Sequence, residues 1–214
     1  STDDRGRHTT THRALLAIPS GACLIDTPGM RELKPTGEED ISESFADIEG
    51  IARACNSCHG TGGVSVGLSM PSIAGLSESY LKNIMMEWKS GTRASANMTR
   101  LIKGYTDEEI AGVAAYYAKQ PWKAQPQSAP ADLLVKAKEA TERCETCHGA
   151  TGGQPDDADT PMLAGQWSRY LELELVKYRD EGFQMTHKKM IKNARKLEEG
   201  DVATAAKFYG AQSK

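Results

Sequence analysis

Apolar side chains recur at helical spacing in two pairs of stretches of this 214-residue chain. The first pair is 78–90 and 107–119, and the second is 168–181 and 199–209. The repeating positions of the first pair are Leu81, Ile84, Met85 and Trp88, then Ile110, Val113, Ala114 and Tyr117. This periodicity predicts four helices, one of which begins with a capping-box sequence at Thr106. Strand-like alternation of Val, Ile and Thr is nearly absent here, so we expect no significant sheet in this part.

Residues 1–50 follow a different pattern. Residues 13–26 contain two short apolar runs on either side of a Pro-Ser-Gly turn, which predicts a β-hairpin, and a helical segment follows. These fifty residues hold 5 Lys/Arg and 10 Asp/Glu, net −5, whereas the remainder holds 21 and 19, net +2. The overall net charge of −3 therefore describes neither part. The nearly neutral remainder argues against nucleic-acid binding.

The chain after residue 50 contains an internal repeat. Cys55 matches Cys144 at an offset of 89, and the segment 71–75 matches 161–165 at an offset of 90. Small changes of offset between matched blocks are typical of a duplicated domain. A proline-rich polar stretch separates the copies and favours an extended connector. We therefore predict a fragment at 1–50, a first domain at 51–120, a linker at 121–132 and a second domain at 133–214.

Each copy contains one Cys-x-x-Cys-His motif, at 55–59 and at 144–148. Two thiols at this spacing can add to the two vinyl groups of a haem, and the adjacent imidazole then ligates the iron. We predict two covalently bound haem c groups, attached through Cys55, Cys58, Cys144 and Cys147, with His59 and His148 as axial ligands. Each copy alone has few apolar side chains, so we expect the haem-free form to be unfolded or molten.

The second axial ligand of such a haem is usually a methionine thioether. The candidates in the first copy are Met70, Met85, Met86 and Met98. We choose Met98, because it lies in an irregular segment between two predicted helices. Met85 and Met86 lie inside an amphipathic helix, where methionine more often packs in the core.

The candidates in the second copy are Met185, His187 and Met190. Met98 and Met190 both lie nineteen residues before a tyrosine of the last predicted helix of their copy, which favours Met190. Met185 remains the alternative, although it would need an insertion. His187 has no counterpart in the first copy, and we expect it to be solvated.

Pro71 and Pro161 recur between the haem motif and the next helix in both copies. A carbonyl at this position can accept a hydrogen bond from the second ring nitrogen of the axial histidine, which fixes its tautomer and raises its basicity. We interpret both prolines in this way, and a simple turn is the alternative.

Residues from about 51 to the end resemble the dihaem class I cytochromes c, and more narrowly the cytochrome subunit of flavocytochrome c sulfide dehydrogenase. The haem motifs and the segments 90–105, 163–167 and 188–190 carry the likeness. The resemblance implies an all-α tandem of class I cytochrome c domains in which both haems have His/Met ligation. It implies an FAD-containing, sulfide-oxidising flavoprotein as electron donor and a soluble or membrane acceptor. A dihaem carrier serving a terminal oxidase is the alternative.

The predicted haems are coordinatively saturated, so we expect an electron-transfer subunit without its own substrate site, even if it belongs to a sulfide dehydrogenase complex. A dihaem peroxidase would need one open or His-ligated iron. That enzyme and a residual GTPase are the competing interpretations.

The segments 6–12 and 26–29 resemble the two switches of the circularly permuted GTPases that assist small-ribosomal-subunit maturation. The chain has neither a Gly-x-x-x-x-Gly-Lys-Ser/Thr loop nor an Asn-Lys-x-Asp motif, so we expect no nucleotide binding. That family also carries a Cys-Cys-His-Cys zinc cluster, of which Cys55, Cys58 and His59 could be a remnant. The fourth ligand does not follow at that spacing, and the second motif favours haem.

The two resemblances imply different compartments. Haem is attached to Cys-x-x-Cys-His outside the bacterial cytoplasm, whereas the GTPase works inside it. We expect the cytochrome part to be periplasmic, although this sequence shows no secretory signal. A truncated start and a joining of two reading frames both remain open, as does a non-functional fusion. Cys23, the fifth cysteine, lies in an apolar run and is expected to be buried and inert.

Overall fold

The computed structural model of the chain describes residues 14–17, 23–26 and 41–213. The chain divides into two compact units, Ser1–Asp40 and Ile41–Lys214. In the first unit, strand β1 (Ala14–Ala17) pairs antiparallel with β2 (Cys23–Asp26). The predicted hairpin strands are therefore confirmed. The switch-like segment 6–12 lies outside the described residues, as does the side chain of Cys23.

The described part of the second unit is helical, which confirms the predicted all-α class. Its helices are α1 (Ile41–His59), α2 (Glu78–Ser90), α3 (Met98–Leu101), α4 (Asp107–Ala118), α5 (Ala131–His148), α6 (Ser168–Arg179), α7 (Lys188–Ala194) and α8 (Glu199–Gly210). The periodicity predicted α2, α4, α6 and α8, and all four are present. Within residues 41–213, none of these helices is both long and apolar enough to span a bilayer.

The two copies repeat one packing pattern. In the first copy α4 packs against both α1 and α2, and in the second copy α8 packs against both α5 and α6. The last helix of each copy thus lies between the helix that carries the haem motif and the helix that follows it. Gly112 of α4 permits this approach, because an added Cβ would lie 2.5 Å from Ile48 Cδ1 of α1.

The last helix also contributes the central aromatic residues. Tyr117 is 1 % exposed, and its hydroxyl donates a hydrogen bond to the Ala52 carbonyl in α1 at 2.5 Å. Its ring meets the ring of Tyr116 edge to face at 5.1 Å. Phe208 and Tyr209 repeat this arrangement at 5.2 Å. The paired aromatic residues are therefore core side chains of the two copies.

The predicted domain bounds remain predictions, and two helices bear on them. Helix α1 is continuous from Ile41 to His59, so it runs through the predicted bound at residue 50. Residues 119–130 contain no helix, and α5 begins at Ala131 after Pro130.

Hydrogen bonds join the two copies directly. The Gln166 side chain accepts from the Ser72 backbone N–H at 2.9 Å and donates to the Ser72 carbonyl at 2.9 Å. Trp167 Nε1 of the second copy and Gln125 Nε2 of the connecting segment both donate to the Ser65 carbonyl, at 3.1 and 2.6 Å. Ser65, Ser72 and Gln166 are buried. The copies therefore share a buried polar interface.

Candidate haem-attachment sites

Both Cys-x-x-Cys-His motifs lie in the last turns of their helices, α1 and α5. Each helix stops at its histidine because a glycine with positive φ follows, Gly60 at +78° and Gly149 at +75°. A Cβ on Gly60 would lie 1.9 Å from the Val64 carbonyl oxygen, so the chain turns back immediately after the motif. This geometry places the histidines at equivalent helix ends.

Each motif histidine has one ring nitrogen engaged by a proline carbonyl. His59 Nδ1 donates to the Pro71 carbonyl at 2.9 Å, and His148 Nδ1 donates to the Pro161 carbonyl at 3.0 Å. Because a carbonyl oxygen only accepts, the proton is on Nδ1 and the lone pair of the neutral ring is on Nε2. The contact expected from the sequence is thus present in both copies, and Nε2 has the form that binds a metal.

Burial keeps these imidazoles neutral. It lowers the pKa of His59 and the pKa of His148, and the hydrogen bonds to the proline carbonyls only partly oppose this effect. Neutral imidazole is the form required of an iron ligand.

The four motif cysteines are free thiols. Cys55 and Cys144, the first cysteine of each motif, are half-buried, and burial raises the pKa of both thiols. Cys58 is exposed. In the first motif the second thiol is thus the more exposed one, whereas Cys144 and Cys147 are both half-buried, and all four thiols lie on the same helix ends as the histidines.

The residues present fit a covalently attached haem. Two thiols and a neutral imidazole with a free Nε2 form the donor set, and it occurs twice. Two buried N–H donors, Trp88 Nε1 and Arg93 Nε, have no hydrogen-bond partner within the described part of the chain. The carboxylate groups of a haem would remove this deficit of acceptors. Where side chains are described, no group of three or more His, Cys, Asp or Glu residues is placed to hold a metal ion.

The two predicted methionine ligands lie in equivalent places. Met98 is the first residue of α3 and Met190 is the third residue of α7, and both are half-buried. Each lies eight residues before the N-cap of the last helix in its copy, Thr106 and Glu198. Their assignment as ligands stays a prediction.

The competing sulfur atoms are packed differently. Met85 is 8 % exposed in the first core, and Met185 is 6 % exposed in a cluster with Tyr178, Ile191 and Ala194. Met190 packs against that cluster from its edge. His187 is exposed at the N-cap of α7.

One residue that the sequence did not single out is Arg93. It is only 4 % exposed and lies in the segment between α2 and Met98. A lone arginine in a polar loop gives no periodic signal, so its burial was not predictable from the sequence.

The N-terminal segment matches a known family. Residues 1–36 match the model of the RsgA GTPase family. The small ribosomal subunit biogenesis GTPases RsgA of Xanthomonas campestris pv. campestris (strain B100) and Xanthomonas oryzae pv. oryzae (strain PXO99A) are each 71% identical to it over 59 residues. The matched stretch is 26% of this chain and 16% of each relative, so the chain spans about a sixth of their length. This confirms the resemblance noted for the first part of the chain.

The helical part of the chain is similar to solved cytochrome structures. Cytochrome c4 from Pseudomonas stutzeri aligns with a TM-score of 0.68 and 24% identity over 78% of this chain and 98% of that one. Cytochrome c4 from Acidithiobacillus ferrooxidans gives 0.65 and 22% over 74% and 99%. Thiosulfate dehydrogenase (TsdBA) from Marichromatium purpuratum gives 0.66 and 24% over 79% and 39%. Three-quarters or so of the chain therefore has the fold of the tandem class I cytochromes c.

Proposed function

We propose that residues 51–214 form a dihaem c-type electron-transfer unit. Two covalently bound haem c groups are held by Cys55 and Cys58 and by Cys144 and Cys147. The observation that carries the proposal is the duplicated site, in which a Cys-x-x-Cys-His motif ends a helix and a proline carbonyl fixes the tautomer of its histidine. His59 and Met98 would hold the iron in the first copy, and His148 and Met190 would hold it in the second.

The chain contributes attachment, ligation and exclusion of water. A bound haem would supply reversible one-electron redox chemistry at each site. The carbonyls of Pro71 and Pro161 orient the two imidazoles and increase their basicity. Because two side chains would hold each iron, the unit would leave no position for a substrate and would act as an electron carrier rather than as an enzyme.

Haem attachment is tested by making the chain in a bacterium that exports it and matures c-type cytochromes. We expect sharp reduced α and Soret bands and a mass increased by two haems. The double variant Cys55→Ser/Cys58→Ser should lose one covalent haem, and Cys144→Ser/Cys147→Ser should lose the other. Cys23→Ser is the matched control and should retain both. A colourless protein in that host would overturn the proposal.

The electron donor that we propose is a flavoprotein of the sulfide dehydrogenase type. The resemblance of segments 90–105 and 188–190 to the cytochrome subunit of such an enzyme supports it. Leu101 follows Met98 by three residues and is 56 % exposed, so an apolar contact is available beside one proposed haem site.

The donor is tested by affinity purification of the tagged chain from its native cells. Co-purification of an FAD-containing chain, and haem reduction on addition of sulfide to that complex, would support the proposal. A solved neighbour is a thiosulfate dehydrogenase. Haem reduction by thiosulfate in the complex, with none by sulfide, would therefore identify a different donor class. A terminal oxidase is the alternative acceptor. Reoxidation of the reduced haems that depends on such an oxidase would support it.

The cytochrome part is proposed to work in the periplasm, where haem attachment takes place. The GTPase-like segment is proposed to bind no nucleotide, because the sequence has no phosphate-binding loop. Cell fractionation followed by haem staining checks the first statement. Equilibrium dialysis against labelled GTP and Mg²⁺ checks the second, and saturable binding would contradict it.

A further inference from the structure

Arg93 is a buried cation at the contact between the two copies. Its guanidinium lies 3.6 Å from Glu87 Oε2 of its own copy. On the other side Nη2 lies 3.5 Å from Glu174 Oε2 and donates a hydrogen bond to the Tyr178 hydroxyl. The guanidinium carbon is 5.3 Å from the centre of the Tyr178 ring. Glu174 and Tyr178 belong to α6, so one side chain of the first copy is anchored in the second.

These contacts link the segments that hold the two proposed methionine ligands. Arg93 precedes Met98 by five residues. Its partner Tyr178 belongs to the buried cluster against which Met190 packs. Thr186, four residues before Met190, also donates a hydrogen bond to Glu87 of α2. The segments that carry the two proposed methionine ligands are thus linked through the contacts of Arg93 and Glu87.

The charge of Arg93 is balanced by its surroundings. Glu87 and Glu174 supply two negative charges, and Lys177 supplies a second positive charge at 2.5 Å from Glu174 Oε1. The buried hydroxyls of Tyr80 and Tyr170 also face the cluster, and burial raises the pKa of Tyr80 to about 12, so Tyr80 is uncharged. Removing Arg93 would leave net negative charge in a site with little water, where electrostatic interactions are weakly screened.

We infer that the fixed positive charge of Arg93 acts on both haem sites and raises the reduction potential of both haems. The inference rests on the proposed haem binding. Ferric haem carries one more positive charge than ferrous haem, so a nearby cation destabilises the oxidised form. The net charge around such a site is one of the protein's means of setting its potential. Arg93 acts on the haems through the electrostatic field of its charge, and it contacts no substrate.

The variant Arg93→Gln tests the inference by a spectroelectrochemical titration of the dihaem protein. We expect both midpoint potentials to fall, each by about a tenfold change in its one-electron equilibrium, which is ~59 mV. The matched control is Arg169→Gln, which removes the same charge from an exposed ion pair with Glu172 on α6. The control should leave both potentials unchanged, because solvent screens that pair.

Two further variants separate charge from packing. Glu174→Gln removes a negative charge at the same place, so both potentials should rise, and the double variant Arg93→Gln/Glu174→Gln should return towards the original values. Arg93→Lys keeps the charge and should keep the potentials even if thermal unfolding shows lower stability. Should Arg93→Gln not fold, Glu174→Gln and Arg93→Lys still decide the matter. If the parent and every variant contain no haem, the proposed function is refuted. If haem is bound but the potentials of Arg93→Gln and Glu174→Gln are unshifted, only this inference is refuted.

Discussion

At the scale of single residues, the two histidine sites show how a helix end fixes the tautomer of a proposed metal ligand. The glycine after each histidine stops the helix, and the returning chain brings a proline carbonyl to Nδ1 at 2.9 and 3.0 Å. Proline has a fixed φ, which restricts the backbone at the residue whose carbonyl accepts this hydrogen bond. The orientation of the ring is thereby set by the backbone before any iron is bound.

The methionine assignment leads to the first prediction. Replacing Met98 with Ala should abolish the thioether–iron signal of one low-spin haem, and Met190→Ala should abolish that of the other. Each change removes one proposed sulfur ligand. The measurement is the long-wavelength thioether–iron absorption band of the oxidised protein.

Met185→Ala provides the control for the second copy. This methionine is buried, so its truncation should lower the free energy of unfolding by roughly 2–5 kcal/mol and leave both thioether signals intact. Loss of a signal in Met185→Ala but not in Met190→Ala would transfer the ligand role to Met185.

The second prediction concerns the central tyrosines. The Tyr117 hydroxyl donates to the Ala52 carbonyl, and the Tyr209 hydroxyl is buried without a hydrogen-bond partner in the described residues. Tyr117→Phe should therefore lower the free energy of unfolding by roughly 0.5–1.5 kcal/mol, while Tyr209→Phe should change it little or raise it. Denaturant titration of the haem-loaded proteins measures both, and equal losses would show that the hydroxyls have the same role.

At the scale of elements, apolar periodicity predicted α2, α4, α6 and α8, because the buried face of each includes at least one large side chain, such as Leu81, Ile110, Tyr178 and Tyr209. It did not delimit α1 and α5. Their inner faces are built from small residues such as Ala52, Ala137 and Ala140, together with the motif cysteines. Small side chains give a weak apolar stripe, so the helices that carry the haem motifs were recognised by the motif rather than by their pattern.

The turn after each haem motif packs against the last helix through a glycine. Gly63 has a φ of +81°, and an added Cβ would lie 2.7 Å from the Tyr117 ring. Gly152 repeats this contact at 2.6 Å from the Tyr209 ring. The repeated contact fixes the position of the proline segment that holds the histidine.

The third prediction follows from that contact. Gly63→Ala should destabilise the protein more than Gly62→Ala, because both positions have positive φ but Gly62 has no atom within 4 Å of an added Cβ. Gly62→Ala should cost about 1–2 kcal/mol from backbone conformation alone. Gly63→Ala should add a clash with a ring whose hydroxyl is held by Ala52. Equal denaturation midpoints for the two variants would show that the ring moves aside freely.

At the scale of the whole molecule, the sequence predicted two copies but not how they are joined. Gln166 and Ser72 are 94 positions apart, and Arg93 and Glu174 are 81 apart. Neither pair shows a periodic or motif signal, because such contacts arise only when two separately folded faces pack together. The haem motifs, by contrast, are local in sequence and were recognisable without a structure. What each site binds was therefore accessible from the sequence, and how the two sites influence each other was not.

The last prediction tests the buried hydrogen bonds between Gln166 and Ser72 that connect the two copies. Gln166 pairs with both backbone groups of Ser72, so Gln166→Ala leaves an N–H and a carbonyl buried without their partner. Each such group costs roughly 1–3 kcal/mol, and the free energy of unfolding should fall accordingly. The two copies should also unfold at more widely separated denaturant concentrations, because one of the buried polar contacts between them is lost. The control is Gln120→Ala, whose amide donates only to the Tyr116 carbonyl in its own copy at 3.3 Å. It should change stability by no more than about 0.5 kcal/mol and keep one transition. A single, equally stable transition in Gln166→Ala would mean that the copies are held together by other contacts.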